Sequence, residues 1–426
     1  MMKNLSALIK NNISRIKSLS FYLSAALISG LIGIFFNPFL AKNLSHADYS
    51  IIGYYTSFAA LFTPLLNFSL ISYYVRSYFK IKEDKRQLTL DTIITTLLLW
   101  GLISSLSILV LFYIYCHLTG VKIPFMPFAV MSVAQLLFNN FLLLYQVNCR
   151  MQRRAKAYFK ITLSSSIIAV LLSILLVIIF KFGAFGRMSA TLLAAAIIGF
   201  VSIKNTIYKF RIDFSIIKEA VLFAWPVSVA YIIQFFLIGI DISFLEKIND
   251  TTNMGLYVVA ISITGYLSIL YTALSQTFEP DLYKAVADYD YKKIIKIVCL
   301  IILILLPIIV LFITLSKPII SVLTYNRYTE AYHFAQVLAL GVLTTYLMVA
   351  IEGVINAFGY TKITLINKIV GSVLAVLFYH YLVSNFQFIG ASWGRVLAPF
   401  FVFVIGIFSL SILKSRIKIE RYAKKN

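Results

Sequence analysis

Stretches of some twenty residues without a single charge recur along the whole chain, and they decide what it can fold into. Residues 97–115 and 297–316 are two of them. As an α-helix, each is long enough to cross a hydrocarbon core of roughly 30 Å. Only 13% of the 426 residues are charged, against about 25% in an ordinary soluble domain. The runs are apolar on every face, whereas the strands of a transmembrane barrel alternate, so the spans are helical. The first run, 19–41, follows Lys3, Lys10, Arg15 and Lys17 but is too long for a secretory signal. It ends in Asn37-Pro38-Phe39-Leu40 without a small-residue cleavage site and is predicted as the first membrane helix. Cys116, Cys149 and Cys299 fall in or at the ends of spans without C-x-x-C spacing, so neither a disulfide nor a metal framework is expected.

Apolar runs set against polar breaks predict twelve spans, near 19–41, 49–75, 91–116, 125–147, 161–180, 187–203, 220–244, 254–278, 297–316, 331–355, 364–384 and 388–413. An even count puts both termini on one side of the membrane. Of the 38 Lys and Arg residues, eight lie on the odd-numbered connections and their helix ends: Lys42, Lys122, Lys181, Arg187, Lys247, Lys317, Arg327 and Arg395. The rest cluster at the termini and even-numbered connections, which the positive-inside rule assigns to the cytoplasm. The net charge of +22 is thereby accounted for without a nucleic-acid partner. Arg150, Arg153, Arg154, Lys156 and Lys160 sit beside spans, where they anchor helices against anionic head groups. No outside connection exceeds roughly 15 residues, too few for a folded domain, so the chain is expected to act within the membrane.

The inside loop at 204–219 divides the predicted spans into six plus six, giving bundles at 1–210 and 211–426. Phe39-Leu40-Ala41-Lys42 closes the first helix of one half, and Phe244-Leu245-Glu246-Lys247 closes the first helix of the other. Halves that begin on the same side and hold an even number of spans are parallel repeats, with a substrate path between them. The fold class expected is therefore an all-α integral membrane protein of about twelve transmembrane helices in two six-helix bundles.

The ordered motifs resemble those of the Wzx-type O-antigen and polysaccharide-repeat flippases, in the superfamily that also holds multidrug extruders and lipid II flippases. Asn37 to Ser45 followed by Ala47-Asp48-Tyr49-Ser50 is similar to that family's junction of helices one and two, with Ser45 and Ser50 in place of two glycines. Phe223-Ala224-Trp225-Pro226, Gly239-Ile240-Asp241 and Met254-Gly255-Leu256-Tyr257 resemble its helix-seven region in order and spacing. Gln276-Thr277-Phe278-Glu279-Pro280, Asn356 to Lys362 and Phe388-Ile389-Gly390-Ala391-Ser392 are similar to later junctions. The resemblance implies a non-enzymatic transporter in the bacterial inner membrane. By alternating access it would move an undecaprenyl-diphosphate-linked oligosaccharide, such as a lipopolysaccharide O-antigen repeat, from the cytoplasmic to the periplasmic leaflet. A coupling ion (H⁺ or Na⁺), a polysaccharide polymerase and a chain-length regulator are the further partners it leaves open, and no cofactor is expected.

A lipid diphosphate carries negative charge across an apolar slab, so its path needs cations and hydrogen-bond donors, and ionisable groups at membrane depth are the first candidates. Asp241, the one acid inside the predicted span 220–244, is read either as a binder of a coupling cation or as an interhelical partner. Arg395, about two turns inside the last span, and Arg76, at the inner end of the second, are candidate diphosphate ligands. A snorkelling interfacial role competes for Arg76. Glu352 and Lys368 flank the turn between spans ten and eleven and are read as path residues or as a pair. Gln135, Asn139, Asn140, Gln234 and Gln276 offer amides to sugar hydroxyls or to neighbouring helices. Pro38, Pro64, Pro226, Pro307 and Pro399 lie within spans and permit bends.

Two other functions stand beside the flippase. A drug or metabolite exporter of the same superfamily would share the architecture but favour a more acidic cavity. An integral-membrane polymerase or glycosyltransferase would need a carboxylate base or acidic metal pair. Outside, the sequence supplies only scattered Asp48, Glu246, Asp250 and Glu330. No nucleotide-binding glycine motif is present, so direct use of ATP is not expected.

Overall fold

The computed structural model describes residues 24, 25, 27–78, 81–287, 289–358 and 360–423; the side chains at 273, 275–277, 279–281, 283, 284, 287, 361 and 414–423 lie outside the description. All regular structure among the described residues is helical. In chain order the helices are α1 Leu27–Asn43, α2 His46–Ser57, α3 Ala59–Asn67, α4 Leu70–Ser77, α5 Glu83–Thr119, α6 Phe128–Met151 and α7 Ala155–Ile179. There follow α8 Gly183–Thr206, α9 Phe214–Ile238, α10 Asp241–Glu246, α11 Thr251–Ala287, α12 Tyr291–Leu323, α13 Tyr332–Ala357 and α14 Thr361–Ala423.

Local chemistry marks their ends. Ser45 caps α2 through a reciprocal pair: its Oγ accepts the Asp48 N–H at 3.1 Å while Asp48 Oδ2 accepts the Ser45 N–H at 2.8 Å. The serine that stands where the resemblance expected glycine thus starts a helix. Gly120, at φ 67°, ends α5 and donates its N–H to Cys116 and His117 carbonyls, the left-handed stop that only glycine adopts cheaply. Along α5, Leu102, Ile103, Leu106 and Val110 are exposed while Gly101, Ser104, Ile108 and Phe112 are buried. A helical stripe that large and apolar is stable only against lipid or another protein.

The predicted span 49–75 is a broken one. Phe68 and Ser69 adopt left-handed φ of 45° and 50°, and the pair of segments on either side is bent by 60°. Asn67 holds the break: its Oδ1 accepts the Ser69 N–H at 2.9 Å and its Nδ2 donates to Asn140 Oδ1 at 3.1 Å. A side chain that satisfies freed backbone is what a kink inside the membrane requires.

Nine helices among the described residues are long and apolar enough to cross a membrane, or up to ten if the bent pair counts as one span. The chain is thus a multi-pass helical membrane protein. One of the nine, Lys362–Leu413, has 52 residues, about 78 Å of helix and more than twice a hydrocarbon core. Within it Gln387 is non-helical, at φ 49° and ψ −127°, between the two spans expected there. The start of the expected first span lies outside the described residues.

The chain forms two compact units, one of Met1–Leu44 with Ala59–Ile232 and the other of Ser45–Phe58 with Ile233–Asn426. These differ from the expected halves 1–210 and 211–426 in two places. The later boundary falls inside α9, because Ala220 and Ala224 pack into the first unit's core with Leu70, Tyr74, Ile94 and Phe141. The other difference is α2, which belongs to the second unit. Gly53 faces Val258, where a Cβ would come within 2.1 Å of Cγ2, and Ser50 Oγ donates to the Thr251 carbonyl at 2.9 Å. Small residues let the α2 and α11 backbones approach, the usual basis of helix packing in membranes.

Candidate functional site: buried ion pairs of the second unit

The span expected at 220–244 is interrupted, which corrects the placement of Asp241. Helix α9 stops at Ile238, Gly239 donates its N–H back to the Phe235 carbonyl at 2.8 Å, and Asp241 opens the short helix α10. Glycine is a poor helix residue, and here it also gives room: a Cβ on Gly239 would lie 2.8 Å from the Phe235 ring.

Asp241 is fully buried. Arg395 donates to it with two nitrogens, Nε to Oδ2 at 2.6 Å and Nη2 to Oδ1 at 3.1 Å. Tyr257 OH, also fully buried, donates to the same Oδ2 at 2.5 Å. The fork-shaped guanidinium matches both carboxylate oxygens, as Lys cannot. The pair is asymmetric: the Asp241 side chain is 0% exposed and that of Arg395 21%. The exposed part of Arg395 lines a cavity of about 300 Å³ with Ile238, Thr264, Ser268, Gly341 and Tyr346. The Tyr346 hydroxyl is buried without a hydrogen-bond partner among the described residues.

A second polar cluster shares α14 with the first and takes its other members from α9 and α13. Lys368 Nζ stands 3.4 Å from Glu352 Oε2 and donates to Gln234 Oε1 at 3.1 Å. Glu352 and Lys368, alternatively a pair or path residues by sequence, are a pair, and Gln234 completes it. Both ionic side chains are 10% exposed, and Glu352 Oε1 has no partner among the described residues.

Between the clusters, α14 is tied to the backbone of α9. Ser372 Oγ donates to the Ile233 carbonyl at 2.9 Å and Tyr379 OH to the Leu237 carbonyl at 3.2 Å. The latter is one of the last-turn carbonyls that a helix cannot satisfy by itself. Tyr379 fits because residue 394 is glycine: a Cβ there would lie 2.3 Å from its ring. Tyr257 and Tyr379 were not among the sequence candidates, although Tyr257 ends the Met254-Gly255-Leu256-Tyr257 motif.

The family model described as "Polysaccharide biosynthesis protein" matches residues 39–333, more than half of the chain. The chain belongs to the polysaccharide biosynthesis protein family. No curated protein matches this family member. Solved structures show its fold. The lipid II flippase MurJ in an inward closed conformation has a TM-score of 0.70 at 17% identity, over 92% of this chain and 87% of that one. An inward-facing multidrug resistance MATE family transporter of the MOP superfamily has 0.68 at 15%, over 93% and 99%. A MOP superfamily transporter from Pyrococcus furiosus, described by a binding pocket of reversed polarity, has 0.64 at 14%, over 94% and 96%.

Of the remaining candidates in this polysaccharide biosynthesis protein, Arg76, Gln135, Asn139 and Asn140 belong to the first unit and Gln276 to the second. Arg76 is exposed in the last turn of α4, its guanidinium 4.4 Å from the Phe223 ring centroid, a cation–π contact at a helix C-terminus. Gln135 Oε1 accepts from Thr191 Oγ1 at 2.9 Å. Asn139 is half-buried, while the neighbouring Asn140 is the one engaged with Asn67. The side chain of Gln276 lies outside the described residues. Asp91, not singled out by sequence, is 3% exposed and accepts from Gln87 Nε2 at 2.8 Å, Tyr208 N at 2.9 Å and Lys209 N at 3.2 Å. It fastens the segment after α8, and its signal was an acid just inside a long apolar helix.

Chemically, the wall of the 300 Å³ cavity in the second unit of the family member carries a cation, Arg395. Arg395 lines a cavity edged with hydroxyls while Asp241 holds its Nε and Nη2. An anion can therefore reach the arginine, and a cation can reach the aspartate only after the arginine has left.

Proposed function

We propose that the chain flips an undecaprenyl-diphosphate-linked oligosaccharide, an O-antigen or related polysaccharide repeat unit, from the cytoplasmic to the periplasmic leaflet of a bacterial inner membrane. The observation that carries the reading is the bidentate Arg395–Asp241 pair at the wall of the 300 Å³ cavity, in a chain of the polysaccharide biosynthesis family with the fold of a lipid II flippase. In this reading the diphosphate competes with Asp241 for Arg395, and the hydroxyls of Thr264 and Ser268 take further phosphate or sugar oxygens. A released Asp241 then accepts the coupling cation, so that substrate and ion bind in sequence at one place. Twelve spans with both termini cytoplasmic complete the proposal, reached by counting α1 and dividing α14 at Gln387. Glu352, Lys368 and Gln234 have a positioning role in it, and the polymerase and chain-length regulator act on the exposed product.

Purified protein in liposomes, supplied with the lipid-linked sugar, tests this through a membrane-impermeant enzyme that reports newly exposed sugar, with and without a pH gradient. Wild type exposes the sugar and the gradient accelerates it. Arg395→Ala slows exposure by about 10- to 100-fold, the weight of one hydrogen bond to a charged group, and Arg395→Lys falls between. Export of a small organic cation with no sugar exposed would transfer the chain to the drug-exporter branch, whose members share the fold.

A further inference from the structure

A second cavity in the same unit, about 470 Å³, has a different character. It is a slot between α12, α13 and the last part of α14, walled among others by Tyr291, Ile295, Ile302, Ala350, Phe358 and Ile407. Tyr291 and Phe358, whose rings stack at 6.0 Å, stand at the first residue of α12 and just past the end of α13. The deepest wall residues, Ile302 and Leu347, are each eleven residues further along their helices. At 1.5 Å per residue the slot runs from the helix ends about 16 Å inward, near half of a roughly 30 Å hydrocarbon core. Two antiparallel helices give the same depth independently.

The rim is basic. Lys292 and Lys296 are exposed and Lys293 half-buried on the first turns of α12, and Lys362 is exposed at the start of α14, four residues after Phe358. Among the described side chains, the acids near this end are engaged: Asp290 caps α12 by accepting the Lys293 N–H at 3.0 Å, and Glu352 is buried against Lys368. An apolar slot sized for one chain, opening beneath a row of lysines at a helix-end level, has the chemistry of an amphiphilic anion site. We infer that it holds one acyl chain of an anionic phospholipid, with the phosphate over Lys292, Lys293 and Lys362. The site belongs to this unit whatever the chain transports, so its test is independent of the flippase reading.

Native mass spectrometry from micelles holding equal amounts of phosphatidylglycerol and phosphatidylcholine with identical acyl chains reads the site directly. Wild type retains one phosphatidylglycerol per chain, about tenfold in preference to phosphatidylcholine. The variant Lys292→Gln/Lys293→Gln/Lys362→Gln retains the two equally. Ala350→Trp, which fills the slot, loses the retained lipid while circular dichroism reports unchanged helix. Cys299 adds a test on the folded wild-type protein: it lines the slot and is the exposed cysteine, Cys116 and Cys149 being buried. Alkylating it with a bulky maleimide likewise expels the lipid. Equal retention of both lipids by wild type would overturn the inference, as would phosphatidylglycerol kept by both the Ala350→Trp and the alkylated protein.

Discussion

Arg395 grips Asp241 from 154 residues away in sequence, with two nitrogens on two oxygens, and the aspartate is the wholly buried member of the pair. Removing one partner strands a charge in a low-dielectric interior, whereas removing both does not. Asp241→Leu is therefore expected to destabilise the folded protein by roughly 3–5 kcal/mol, and Asp241→Leu/Arg395→Met by far less. Denaturation in detergent measures this, and equal losses in the single and double variants would contradict it.

The second pair behaves differently because it has a third member. In Glu352→Gln the ammonium of Lys368 keeps its bond to Gln234 Oε1, 3.1 Å long in the wild type. In Lys368→Met the Glu352 carboxylate is left without a partner among the described residues. Lys368→Met is expected to cost roughly 3–5 kcal/mol and Glu352→Gln about 1–2 kcal/mol less than that, the scale of one charged hydrogen bond. The reverse order in the same denaturation measurement would refute the role given to Gln234.

Asp91 accepts the N–H groups of Tyr208 and Lys209 at 2.9 and 3.2 Å. Asp91→Ala leaves both donors with no replacement, at a cost of about 1–3 kcal/mol. The segment 207–213 should become the first site of cleavage in limited proteolysis, and Asp91→Asn, which keeps one acceptor oxygen, should be cut more slowly than Asp91→Ala.

Asp250 lies outside the membrane-crossing helices, directly before α11. Its Oδ1 accepts the Asn253 N–H at 3.0 Å, which holds the carboxyl below its usual range, with the Asn253 side chain and the Thr252 N–H adding to the effect against the opposing cost of burial. A folded-state value below that of the unfolded chain means stability that is present above about pH 3.9 and lost as pH falls through the folded value. Asp250→Ala is expected to cost about 1 kcal/mol at pH 7, the weight of an N-cap. The gap from wild type should narrow below pH 4, and a gap that widened on acidification would show the sign to be wrong.

Much of this architecture is written in local chemistry. An uncharged run of twenty residues must be a helix in lipid, since no other conformation of a single segment satisfies its backbone there. The spans predicted from 91 to 203 accordingly fall on α5 to α8, with no end more than three residues outside its helix. The breaks at glycine and asparagine, inside spans expected to be continuous, needed neighbours to take effect. Gly239 interrupts α9 beside Phe235, and Asn67 sustains the bend at Ser69 only because Asn140 and the backbone of Ser69 take its amide.

By itself, then, the sequence determined the solvent, the helical class, most spans and the identity of the ionisable groups at depth, because hydropathy and charge are properties of short segments. The tertiary structure alone decided which of those groups meet. Asp241 could have awaited an ion and Arg395 a phosphate as separate sites, and nothing local links positions 154 apart. Likewise α2 follows α1 in the chain but packs on α11, because the surface at Gly53 fits Val258. Shape complementarity and the cost of an unpaired buried charge act between helices, and they become legible only once the helices are packed.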